Sequence, residues 1–179
     1  MKKAIGLIMI MALSCALVGA QQGQQKAVNF KRLQEFLPKI DLPGFTKMKP
    51  GGETSSAMGM SVSEAHLRYE QGSGDNSASI EVKISDMAGV PFGQMGAAMI
   101  GATEFENETE TGYEKSIKVQ GFPGTEKVDN TEDNKSAQIT LFVGGRFSVE
   151  LNGSGTSDVH LLRKLLDSMN LSDLAKVTQ

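Results

Sequence analysis

After Cys15 the chain has no cysteine, and it has no tryptophan anywhere. The first absence excludes a disulfide framework, a thiol nucleophile and a cysteine-held zinc site from everything downstream. Imidazole is scarce too: His66 and His160 are the only histidines. No G-x-S-x-G nucleophile elbow occurs. Gly89, Gly93 and Gly96 have the spacing of neither a dinucleotide fingerprint nor a Walker loop. The chain also lacks a basic run, and its net charge is −3, which argues against nucleic acid as a partner. No apolar run reaches the ~20 residues needed to cross a bilayer. A chain without disulfides must be held by its apolar core, and a domain of this length can build one.

What is present begins with a leader. "MKKAIGLIMIMALSCALVGA" opens on Lys2 and Lys3, continues as an apolar run from Ala4 to Leu13, and places Val18 and Ala20 at the −3 and −1 positions of a cleavage site. This pattern predicts a secretory signal peptide over residues 1–20 and a mature start at Gln21. Loss of Lys2 and Lys3 takes the net charge from −3 to −5. A competing reading uses Cys15: "ALSCA" has the serine-cysteine of a bacterial lipobox, with Ala12 where leucine is favoured. On that reading the protein is an envelope lipoprotein anchored through Cys15. Residues 21–27, rich in glutamine, are expected to be disordered, and residues 28–179 to form a single domain.

Periodicity predicts helices near 30–37, 88–102 and 157–169. The first is capped by Asn29, and the last by Ser157 with a stripe of Leu162, Leu165, Leu166 and Met169. The segment between residues 38 and 56, rich in proline and glycine, reads as a wrapping loop. "SASIEVKIS" alternates cleanly, with Ala78, Ile80, Val82 and Ile84 on one face. "MGMSVSEAHLRYE" switches parity, which predicts a bulge near Ser63 or Glu64. In "SAQITLFVGGRFSVELNG" the inward residues on both sides of the glycines are odd-numbered. A three-residue loop with Val143 opposite Phe147 keeps them on one face, with Phe142 outward under another element. The expectation is an α+β fold: an antiparallel sheet of about six strands with helices packed mainly on one face, a two-layer sandwich.

Four features in order resemble a group of uncharacterised small exported bacterial α+β proteins. They are Tyr69 ending a strand, Ser85-Asp86 closing the next, the Gly/Ala-rich stretch from Ala88 to Ala102, and Gly112 to Lys115. The layout is also similar to PsbP/Mog1-type domains at the level of fold. Neither resemblance implies an activity or a site residue.

Candidate chemistry is sparse. Ser154, Ser157, Asp158 and His160 are neighbours in one capping segment and do not converge as a triad. Asp129 and Asp133 begin a calcium-loop pattern that fails at Asn134 and Thr140, so a polar hairpin connection is expected. Glu104, Glu106, Glu108 and Glu110 read as a wet loop or sheet edge. Met58, Met60 and His66 offer soft metal ligands, although methionines at strand spacing fill cores. No cofactor or metal is implied.

The stretch from Met87 to Ala102 carries no charge. As a helix it is about 22 Å long at ~1.5 Å per residue, too short for a bilayer core of ~30 Å. Gly89, Gly93 and Gly96 fall on one side, and Phe92, Met95 and Met99 on the other. The Phe92, Met95, Met99 face is the candidate contact for an unknown protein, lipid or apolar ligand. The expected function is therefore an exported, non-catalytic binding or envelope-associated domain, periplasmic or secreted. The alternatives are a small hydrolase using His66 or His160, and the Cys15-anchored lipoprotein.

Overall fold

The computed structural model describes residues 26–57, 60–74, 77–88 and 104–178. Its strands are β1 (Thr46–Lys47), β2 (Gly51–Ala57), β3 (Met60–Gln71), β4 (Ala78–Asp86), β5 (Glu106–Thr109), β6 (Gly112–Val119), β7 (Phe122–Asp129), β8 (Ser136–Val143) and β9 (Phe147–Ser154). All pairings among them are antiparallel. The order is β1-β3-β4-β9-β8-β7-β6-β5, and β2 continues the β1 edge by pairing with β3. Two meanders, β1–β4 and β5–β9, thus meet at the β4–β9 seam. The helices are short: α1 (Phe30–Gln34), α2 (Val159–Asp167) and α3 (Leu171–Leu174).

This corrects the expected α+β two-layer sandwich of about six strands. Among the described residues the fold is sheet-rich, with nine strands, 49% strand and 14% helix. The six inner strands were readable; β1, β2 and β5 were not. Those three form the two edges of the sheet. An edge strand has one partner and little core beneath it, so "GGETSSA" and "ENET" need no apolar alternation, and nearly all their residues are exposed.

One face of the sheet is the core. A row runs straight across it through Leu67, Val82, Leu151 and Ile139, all at most 2% exposed. The next row carries Gly153 opposite Ala137. These small residues let α2 descend: a Cβ on Gly153 would sit 3.4 Å from Leu162. Leu162, Leu165 and Leu166 then seal the core from above, joined by Leu33 of α1. The opposite face is polar, with Lys83 bridging to Glu150 at 3.1 Å and Arg68 facing Glu81 at 3.6 Å.

Local details confirm some expectations and correct others. Val143 lies opposite Phe147 across a Gly144–Gly145–Arg146 loop, as parity required. Phe142 points outward and is half-buried. No bulge interrupts β3: pairing runs continuously from Ser63 to Gln71, and Val62 points outward at 40% exposure. Ser61 and Ser63 take the inward positions because hydroxyls of β2 meet them, Thr54 at 2.7 Å from Ser63 and Ser56 at 3.0 Å from Ser61. Asn29 caps α1 as expected. Asp158, not Ser157, caps α2, accepting from the His160 amide at 3.0 Å.

Candidate functional site

The predicted contact residues Phe92, Met95 and Met99 lie outside the described residues, as does Met58. The histidines stand apart from each other. His66 lies on the polar face of β3, its Nδ1 3.8 Å from Glu64, too far for the hydrogen bond a general base needs. His160 is exposed in the first turn of α2. Among the described residues no group of three or more histidines, cysteines and carboxylates converges on a metal position. Asp129 closes its own turn by accepting the Thr131 amide at 2.9 Å, and that bond holds its carboxyl below the usual carboxylate range.

Three constructions remain, and each follows from an element's place in the sheet. The first is a charged end to the core face. The apolar row through Leu67, Val82, Leu151 and Ile139 continues as Glu126, Lys115 and Glu106. Glu126 is only 1% exposed, although Val128 on the same strand fixes its inward direction. Tyr113 donates its hydroxyl hydrogen to Glu126 Oε1 at 2.8 Å. Arg163 of α2 comes down onto Oε2 as an ion pair, and Lys115 lies 3.9 Å from Oε1 and over the Tyr113 ring. Arg163 is the ion-pair partner of Oε2 among the described residues. Burial and the Glu126 carboxylate push the Tyr113 phenol up to about 12. The phenol is therefore a fixed donor near neutral pH and is a poor nucleophile or base there. Sequence reasoning missed Glu126. The signal was available: Phe122, Gly124, Glu126 and Val128 share one parity, and a carboxylate at an inward position needs a partner.

The second construction is a clasp at the sheet end. Asp86, fully buried, accepts from Arg146 Nε at 2.8 Å, Arg146 Nη2 at 2.7 Å, the Val28 amide at 2.7 Å and the Ala88 amide at 3.0 Å. Arg146 also donates to the Lys26 carbonyl at 3.2 Å. This ties the incoming chain to the β8–β9 turn.

The third is a groove of about 620 Å³ between α1 and the α2–α3 corner. Phe36, Leu37 and Val177 line it together with Arg32, Lys39, Lys176, Glu35 and Asp173, so its wall is mostly polar. Arg32 pairs with Glu35, and Lys176 with Asp173 at 3.0 Å. Its size is within the usual range for a small-molecule site. Compared with known proteins, the chain matches no family model, no curated protein and no solved structure.

Proposed function

We propose that the protein is an exported, non-catalytic binding domain acting in the periplasm or outside the cell. The leader at residues 1–20 supports export. The groove between α1 and the α2–α3 corner carries the binding role, because it brings Phe36 and Val177 together with Arg32, Lys39 and Lys176 in one concave surface. The Tyr113–Glu126–Arg163 group supports a non-catalytic reading, since each member is occupied in holding another. Phe92, Met95 and Met99, which lie outside the described residues, are a second proposed contact on their spacing in the sequence, and Met95→Asp should weaken capture while leaving the fold intact.

Two measurements test this. Cell fractionation with intact-mass analysis should find a chain starting at Gln21; a lipidated start at Cys15 would replace the soluble reading with an envelope anchor. Native mass spectrometry of the recovered protein should show a bound species that Val177→Trp, which fills the groove, removes without loss of secondary structure. A bound species retained by that variant, or none in the parent, refutes the groove as the site.

A further inference from the structure

One dipeptide in the middle of the sheet is chemically weak. Of the seven asparagines only Asn152 is followed by glycine. In such a pair the glycine has no side chain to shield its amide nitrogen, which can attack the preceding carboxamide. The pair lies in β9, flanked on its two sides by β4 and β8. Asn152 is opposite Glu81 and Gln138, and Gly153 is opposite Ile80 and Ala137. The two positions are not equally constrained. Gly153 is buried, and a Cβ there would meet Thr156 at 3.3 Å and Leu162 at 3.4 Å, so packing under α2 favours glycine. Asn152 is half-buried on the polar face. Its position asks only for a polar side chain, and asparagine is depleted in strands.

We propose that Asn152 is a self-modification site that the sheet holds silent, so that chemistry there marks chains that have lost the fold. The nucleophile is the Gly153 amide nitrogen after a solvent base takes its proton. It attacks Asn152 Cγ: an N–Cγ bond forms, the Cγ–Nδ2 bond breaks, and Nδ2 leaves as ammonia. One water then opens the five-membered imide at either carbonyl and leaves aspartate or isoaspartate. No oxidant or cofactor is needed. In the folded sheet an inner strand commits its amides to one neighbour or the other, so the ring closes only when β9 opens. Both products oppose refolding. Aspartate sets a carboxylate directly opposite Glu81, and like charges facing each other across a strand pair are destabilising. Isoaspartate adds a backbone methylene just before Gly153, which displaces that glycine from its place under Leu162.

Peptide mapping by mass spectrometry tests this on the full chain, held in native buffer and in guanidinium chloride at the same mildly alkaline pH. In denaturant the peptide containing Asn152 should show the mass gain of amide-to-acid conversion, with isoaspartate the larger product. In the native protein the same change should be at least about a hundredfold slower, because it waits on the opening of β9. After long incubation in denaturant and dilution, the refolded fraction, read by circular dichroism, should fall in step with modification at Asn152. Asn152→Gln should refold fully after the same treatment, and Asn152→Ser stands in if that variant does not fold. Comparable native and unfolded rates, or no conversion of Asn152 in denaturant, would refute the guarded site. Modified chains that refold with the parent's denaturation midpoint would refute the mark.

Discussion

At the scale of single residues, side chains that look misplaced by local rules are explained by what they reach. Gln120 has φ 49 in a two-residue turn between β6 and β7, where asparagine or glycine fits better. Its amide explains the choice. Nε2 donates to the Met169 carbonyl at 3.0 Å, and Oε1 accepts from the Leu171 amide at 3.3 Å, so one side chain closes α2 and opens α3. Gln120→Asn relieves the turn but is one carbon too short to reach. We expect a net loss of about 1–2 kcal/mol in urea unfolding; a gain would show that turn strain outweighs the two bonds. The tyrosines give a pH prediction. Tyr69 is pushed up to about 12 by burial and by the Asp41 charge, and Tyr113 to about 12 by burial and Glu126. Burial alone would lower Lys83, but the Glu150 hydrogen bond and charge outweigh it and raise it. All three groups hold their proton more tightly when folded; the tyrosines' contribution is complete below pH 10 and is lost as pH rises from about 10 to 12, and that of Lys83 is lost as pH rises through its raised value. Phenolate absorbance in the native protein should rise near pH 12, against about 10 in urea; a native midpoint near 10 refutes this.

Elements behave according to how many neighbours they have. The inner strands β4, β8 and β9 were legible because each buries one whole face, which imposes strict alternation on Ile80, Val82 and Ile84 or Ile139, Leu141 and Val143. The edge strands were not legible, because backbone pairing and short hydroxyl contacts place Gly51–Ala57 against β3 with no apolar alternation. The supposed bulge in β3 failed for a related reason. Hydrophobicity marks the buried face only where the opposing elements are apolar, and near Ser61 and Ser63 they are hydroxyls. Of the candidate groove nothing was legible, since it depends on α1 and the C-terminal helices, far apart in sequence, coming side by side. The Asp86 clasp was also hidden: Asp86 pairs with Arg146, 60 residues away. Its role can be tested on the chain it holds. Asp86→Asn leaves Arg146 facing no carboxylate, and removing one partner of a buried pair costs about 3–5 kcal/mol. Hydrogen exchange at the Val28 amide should accelerate more than exchange at β8–β9. Uniform acceleration would mean that the clasp supports the whole sheet rather than the entering strap.

For the whole molecule, the decisive junction is the β4–β9 seam, where two strands far apart in sequence join the meanders. Its core pairs are Val82 with Leu151 and Ile84 with Val149, all fully buried. Such long-range pairing forms late and at high entropic cost, so the sheet is one cooperative body only if the seam is as strong as the hairpins. The sequence supplies a reporter on each side, since its only tyrosines are Tyr69 in β3 and Tyr113 in β6. With no tryptophan to mask them, Tyr69→Phe leaves emission from the second meander alone, and Tyr113→Phe from the first. Within each variant, tyrosine emission and far-ultraviolet circular dichroism should share one urea midpoint. Leu151→Ala should lower that midpoint by the equivalent of about 2–5 kcal/mol while keeping the two signals coincident, because its loss weakens β9 against both β4 and β8. Tyr113 emission that changes at lower urea than the circular dichroism would show the β5–β9 meander separating first. The fold would then be two hinged sheets sharing an edge rather than one nine-stranded unit.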